Sequence, residues 1–182
     1  MKKYFLIALA AISLVSCEEE LTTNTPTFEA MNSYTFWRAT KIAANFNDGD
    51  LVIVGANDTE NITLYIEDYE LGQEYTLGTS NYNVATYSKV ENDTVYRYST
   101  SSSTGKGYIK LEPIENQVPG TISGTFYAEM VPVDATMVLP DREVVNFNKG
   151  VFFRIPITYP PVENPEIPEN PETPEDPETP QP

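Results

Sequence analysis

Between residues 27 and 159 the apolar positions recur every second residue, the spacing of a half-buried strand, and not with the 3.6-residue period of a helix. Leu51, Ile53 and Gly55 fall on one side of a strand. Ile62, Leu64 and Ile66 line one side of the next, with Thr63, Tyr65 and Glu67 opposite. The polar stretch 56–61 between them reads as a hairpin loop. Tyr108-Ile109-Lys110-Leu111-Glu112 alternates in the same way, and residues 121–131 place Ile122, Gly124, Phe126, Ala128 and Met130 inward. A last strand over 144–157 carries Gly150 as a bend or bulge. Residues 38–45 hold the best helix candidate, but Asp48-Gly49 and the run Leu51 to Val54 after them make a hairpin and therefore a strand. Turn signals recur at Asp48-Gly49, Leu71-Gly72, Asn92-Asp93, Gly105-Lys106 and Pro119-Gly120. The pattern predicts an all-β domain, an antiparallel up-and-down meander of about nine or ten strands forming a sandwich or barrel.

Both ends of the chain break this pattern. Lys2 and Lys3 precede an apolar run from Tyr4 to Ile12, shorter than the roughly 20 residues a spanning helix needs and suited to a signal peptide. Leu14-Val15-Ser16-Cys17 resembles the bacterial lipobox, in which the cysteine is lipidated and becomes the mature N-terminus. An ordinary cleaved signal would instead leave Cys17 as an unpaired thiol in an oxidising compartment. Glu18, Glu19 and Glu20 follow at once, and such an acidic cluster resembles the signal that sends Bacteroidota lipoproteins to the outer face of the outer membrane; a periplasmic orientation is the alternative. From Pro160 the prolines at 165, 168, 171, 174, 177 and 180 match the three-residue turn of polyproline II and cannot join a sheet interior, and the acids between them have no bases to pair with. The chain therefore divides into a signal peptide (1–16), an acidic linker after lipidated Cys17 (17–26), the all-β domain (27–159) and a disordered acidic proline-rich tail (160–182).

Composition narrows the chemistry. There is no histidine and one cysteine, so imidazole-based catalysis, imidazole metal sites and thiolate clusters are excluded. A formal charge of -16 disfavours nucleic acid, whose binding rests on clustered Lys and Arg. Residues 45–50 gather oxygen ligands around Gly49, but their spacing is not that of an EF-hand and reads as a hairpin turn. Glu67 with Asp68, or Glu129 with Asp134, would be carboxylate pairs for a glycosidase, yet nothing selects either over a solvated acidic face. Tyr65, Tyr69, Tyr75, Tyr82, Tyr87, Tyr96 and Tyr98 could line a sugar-stacking face or sit as half-buried strand residues. Asp93-Thr94-Val95 resembles the Bacteroidota O-glycosylation acceptor, making Thr94 a candidate, against a simple Asn-Asp hairpin turn. No catalytic residue, cofactor or metal ligand is assigned.

A wider resemblance runs through Tyr34-Thr35-Phe36-Trp37-Arg38-Ala39, Gly72-Gln73-Glu74-Tyr75-Thr76-Leu77-Gly78, Gly107-Tyr108-Ile109-Lys110-Leu111, Ile122-Ser123-Gly124-Thr125-Phe126 and Val145 to Phe152. In this order the segments resemble an uncharacterised family of Bacteroidota lipoproteins, catalogued as a domain of unknown function. The resemblance covers nearly the whole folded region and brings no catalytic residues with it. The reading is an outer-membrane or surface lipoprotein, not an enzyme, that serves as a binding or cell-envelope module. It is held to the membrane through its N-terminal lipid and takes a carbohydrate or protein ligand. A lipocalin-like carrier, or less so a carboxylate glycosidase, is the alternative.

Intact-mass analysis of membrane-extracted protein should find residues 1–16 absent and Cys17 acylated, because two or three acyl chains at about 0.8 kcal/mol per buried methylene anchor firmly. A Cys17→Ser form that remained in the membrane fraction would contradict this.

Overall fold

The computed structural model describes residues 25–140 and 142–159. The signal peptide, Cys17, the acidic linker up to residue 24 and the proline-rich tail lie outside the described residues. Eleven strands follow in chain order: β1 (Thr27–Asn32), β2 (Thr35–Arg38), β3 (Lys41–Asn47), β4 (Asp50–Ala56), β5 (Glu60–Ile66), β6 (Glu74–Leu77), β7 (Asn83–Glu91), β8 (Thr94–Ser99), β9 (Lys106–Leu111), β10 (Thr121–Pro132) and β11 (Val145–Thr158). A single 3-10 turn, Ile114–Asn116, separates β9 from β10.

Local turn chemistry sets the hairpins. Asp48 and Gly49, at φ 52° and 99°, join β3 to β4, and Asn92 and Asp93, at φ 50° and 60°, join β7 to β8; both are two-residue connections with the left-handed backbone that matches strand twist. At 57–60 the Asn57 side chain accepts from the Thr59 and Glu60 amides at 3.1 and 2.8 Å, an Asx turn that aligns Ala56 with Asn61.

The strands form one mixed sheet in the order β2-β1-β11-β3-β4-β5-β7-β8-β10-β9-β6, with β10 also pairing β11. Those two long strands serve both halves. In one half they lie side by side, flanked by β1 and β2 on one edge and by β9 and β6 on the other. The far end of β10 reaches β8 (Val131 opposite Ser99), and the far end of β11 reaches β3 (Ile157 opposite Ala44), so the sheet closes on itself around one core. The all-β sandwich or barrel holds, and the strand order adds detail to it. β6 leaves the sequential path to pair β9, so β5 pairs β7 directly. The β11–β3 pair is parallel, and it is short because β1 and β10 flank the rest of β11 and leave β3 only its last residues.

Two bulges bend β11. Its register with β10 steps between the Phe126–Gly150 and Ala128–Phe147 pairs, and again between Gly124–Phe152 and Ile122–Ile155. The left-handed residues at these steps are Lys149 and Arg154, both at φ 50°. Gly150, the bend residue expected from sequence, adjoins the first bulge and serves a different purpose, the close approach of a ring. A Cβ on Gly150 would overlap the ring of Phe126, one on Gly124 the ring of Phe152 and the carbonyl of Lys110, and one on Gly55 the ring of Phe28. Those three rings meet edge-to-face, Phe28 with Phe126 at 5.3 Å and with Phe152 at 6.4 Å. From Phe28 the contacts continue to Trp37 (5.7 Å), Phe147 (5.9 Å), Tyr87 (5.1 Å) and Tyr98 (6.1 Å). Around them pack Leu51, Ile53, Ile62, Leu64, Ile66 and Ile122, all fully buried, so side chains occupy the space between the two halves.

Gly124→Val should therefore lower stability by about 3 kcal/mol, the upper end of overpacking costs, because a backbone carbonyl is one of the atoms in the way. Thr125→Val, on the half-buried opposite face, should cost less than about 0.5 kcal/mol. Denaturant titration compares the two, and the reverse ranking would overturn the β10 register.

Candidate functional site

The surface depressions of interest lie outside the filled core. One group of them surrounds Val133, where β10 ends against β8. Alternation along β8 buries Tyr98, leaves Tyr96 packed against the core, and turns Val95, Arg97 and Ser99 outward. Thr86 and Ser88 of β7 stand beside them, with Ser88 directly opposite Arg97. A depression of about 390 Å³ is lined by Val95, Arg97, Val133, Asp134 and Met137. A second, of about 280 Å³, lies over Thr86, Ser88, Arg97 and Ser99, and a third, of about 320 Å³, over Ser99, Ser101 and Thr104. All three share Val133, so they form one trough.

The loop walling this trough is held in place by hydrogen bonds. Val133 N–H donates to the Arg97 carbonyl at 2.9 Å. Buried Tyr98 accepts from Leu139 N–H and donates to the Arg142 carbonyl, each at 2.8 Å. Asp134 accepts from the amide and the hydroxyl of Thr136 at 2.8 and 2.7 Å, and the hydroxyl first, then the amide, hold its carboxyl below the usual range. The lining combines a guanidinium fork, several hydroxyls and the apolar Val95, Val133 and Met137. Such a set suits a hydroxylated ligand that has an apolar face.

A second groove, of about 260 Å³, lies at the other end of the domain, between Tyr69, Leu71, Ile114, Val118, Ile157 and Tyr159. Phe46 packs edge-on against Tyr69 and Tyr159, at 5.5 Å from each. Burial first, then the neighbouring Tyr159 and Tyr75, push the Tyr69 hydroxyl pKa up. Gln117 is spent on architecture: its amide donates to the carbonyls of Glu112 and Ser123 at 3.0 Å and accepts from Ser123 N–H at 2.9 Å, fixing the β9–β10 connection.

The residues singled out from sequence are dispersed. Tyr87 and Tyr98 belong to the core, Tyr82 is exposed in a loop, Tyr65 stands on the outer face of β5, and Tyr75 bonds the Glu70 backbone. Tyr69 lies near Tyr75, and Tyr87 meets Tyr98 inside the core, so these tyrosines do not make one stacking face. An outward pair that does meet is Tyr108 with Tyr127, cross-strand partners 6.3 Å apart; the alternation of β9 and β10 carried that signal. Glu129 is engaged by Lys106 (3.2 Å) and by the Tyr127 hydroxyl (3.2 Å), while Asp134 belongs to the trough loop. Glu67 and Asp68 follow β5, where Asp68 N–H donates to Asp50 at 3.4 Å. Residues 45–50 are a hairpin end, and among the described residues no group of three or more His, Cys, Asp or Glu is placed to hold a metal ion. Thr94 opens β8 at a hairpin corner, half-buried, its hydroxyl 3.4 Å from the Asn92 carbonyl.

The family model described as Domain of unknown function (DUF6252) matches residues 24–156, and the chain belongs to that family. No curated protein and no solved structure matches it.

Two phenols give the structure a high-pH signature. Tyr65 donates to Asp50 at 2.5 Å, and this bond, followed by burial and the Asp50 charge, pushes its pKa up from 10.0 to about 12. Burial, followed by a 2.5 Å bond to Glu60, pushes Tyr87 further in the same direction. Both pKa values are raised on folding, so the stability they contribute is fully present below pH 10 and is lost as the pH rises toward and beyond 12. Denaturation followed against pH should show stability falling above pH 10, and less steeply in Tyr65→Phe. Equal slopes in the two proteins would refute the Tyr65–Asp50 bond.

Proposed function

Taking this member of the DUF6252 family as the premise, we propose a lipid-anchored binding module of the outer membrane, facing the cell surface, that recognises carbohydrate in the trough around Val133. The observation that carries the reading is the separation of the trough from the N-terminal entry to the domain. Thr27 lies opposite Phe153, next to Phe152, the partner of Gly124 in the first half of β10, whereas Val133 follows the end of that strand. Nine residues of strand, about 30 Å at 3.3 Å per residue, separate the two levels. A tether from Cys17 would join the domain at its Thr27 end, which favours a trough directed away from the bilayer.

The filled interior favours an external ligand over one carried inside a lipocalin-like barrel. Acids already engaged, such as Glu129 with Lys106, favour binding over carboxylate catalysis. Thr94, beside the trough residue Val95, is the proposed O-glycosylation acceptor. A second reading, a cell-envelope module that docks a protein partner, is favoured by the Tyr69–Tyr159 groove, where Ile114 is 74% exposed.

The test is titration of the full chain in detergent with a panel of neutral and acidic oligosaccharides. Val133 is 66% exposed, so Val133→Arg should leave the fold intact and weaken binding about tenfold or more by filling the trough. Binding that is indifferent to Val133→Arg, or absent across the panel, would overturn the proposal.

A further inference from the structure

The outward positions of β3, β4, β5, β7 and β8 form a face with little negative charge, on a chain whose formal charge is -16. Among the strand positions one carboxylate, Asp50, projects from it and accepts the Tyr65 hydroxyl, and Glu67 and Asp68 lie close to that phenol just past the end of β5, away from the row through Asn61. The other outward positions include Ala43, Val52, Val54, Thr63, Thr86 and Ser99. Strand register organises this face into rows. Lys41 lies opposite Ala56, Ala56 opposite Asn61, Asn61 opposite Ser88 and Ser88 opposite Arg97. The row thus runs across five strands from an ammonium to a guanidinium, over a small side chain, an amide and a hydroxyl. Four inter-strand spacings set the two cations about 19 Å apart. Both are exposed, and neither has an ion-pair partner among the described residues, unlike Arg38, Lys89 and Lys106, which pair Glu29, Glu91 and Glu129. The carboxylates flanking the row are Asp58, in the turn beyond Ala56 and Asn61, and Asp134, held by Thr136.

We infer that the ligand is a linear acidic polysaccharide lying across the strands along this row, with carboxylates at Lys41 and Arg97 and an end seated in the Val133 trough. This inference rests on the carbohydrate reading above and names the class of sugar. Arg97 belongs to both the row and the trough, so one guanidinium joins the two surfaces. The middle of the row offers Asn61 and Ser88 as partners for sugar hydroxyls, and Ala56 leaves room for a ring to lie close to the sheet. Cations 19 Å apart are far too sparse for nucleic acid, whose duplex carries a charge about every 1.7 Å. They do suit a polymer with a carboxylate on each sugar, whatever its exact repeat.

The experiment uses the full chain in detergent with three polymers of similar length: polygalacturonate, its carboxyl-reduced neutral counterpart, and polyglutamate. Polygalacturonate should bind, and Lys41→Gln and Arg97→Gln should each weaken it by about threefold to tenfold, with the loss shrinking as salt rises. Lys110→Gln, on the opposite half of the sheet, should change nothing. The neutral polymer should bind about tenfold more weakly. Equal binding of the neutral polymer, still sensitive to Val133→Arg, would overturn the acidic inference and leave carbohydrate recognition standing. Polyglutamate binding as tightly, with the same dependence on Lys41 and Arg97, would overturn the saccharide in favour of an acidic peptide. Failure of all three polymers, together with the oligosaccharide panel, would remove both readings.

Discussion

The fold depends on phenylalanine rings lying where side chains of neighbouring or facing strands would otherwise stand. Gly55, Gly124 and Gly150 each leave open the space that a Cβ would fill, and Phe28, Phe152 and Phe126 occupy it. A glycine in a strand weakens it by its backbone entropy and its missing side chain, and the ring laid over it restores buried area. Phe28 of β1 over Gly55 of β4 joins the two halves of the sheet, and the other two pairs lock the long strands β10 and β11 to each other. The edge-to-face and tilted ring contacts from Phe28 out to Tyr98 extend this arrangement through the core. Tyr98 then passes order outward, since its hydroxyl is the bracket that holds the loop at Leu139 and Arg142.

A core built this way leaves recognition to the outside of the sheet. The two outer faces differ in chemistry. Around β1, β9, β10 and β11 the exposed side is rich in ion pairs and aromatic residues, with Lys106–Glu129, Arg38–Glu29, Tyr108–Tyr127 and Arg154 over Phe153 at 4.9 Å. Around β3, β4, β5, β7 and β8 the outward positions are mostly Ala, Val, Thr, Ser and Asn, with Lys41 and Arg97 outside any ion pair among the described residues. Surface charge is therefore segregated by strand, and the net charge of the chain is a poor guide to the potential a ligand meets at the second face.

Inward faces were legible in the sequence where period two runs unbroken, as in Leu51 to Gly55, Ile62 to Ile66 and Ile122 to Met130, because burial of one face dictates alternation. Turn positions were legible for the same local reason, in Asp48-Gly49 and Asn92-Asp93. Partners distant in the chain were not. Nothing near Ser99 announces Val131, nothing near Ala44 announces Ile157, and the exchange of β6 onto β9 follows from closure of the whole sheet. The trough and the cationic row were hidden for this reason, since long-range pairing alone brings Val133 to Arg97 and puts Lys41 in the same row. Tyrosine density misled in the opposite way: crowding along the chain between Tyr65 and Tyr98 became dispersal in space, because the strands carrying those residues turn them to different faces.

Closure by the last strand also sets a kinetic order. β1 waits for residues near 153 and β3 for residues near 158, so neither can complete its pairing until the end of the domain is available. Hairpins β3–β4, β4–β5 and β7–β8 can form early from local turns, but the entropy of closing loops longer than a hundred residues falls on the final step. Such a chain stays open while it is being made, and it becomes a closed body only after residues near 158 have emerged.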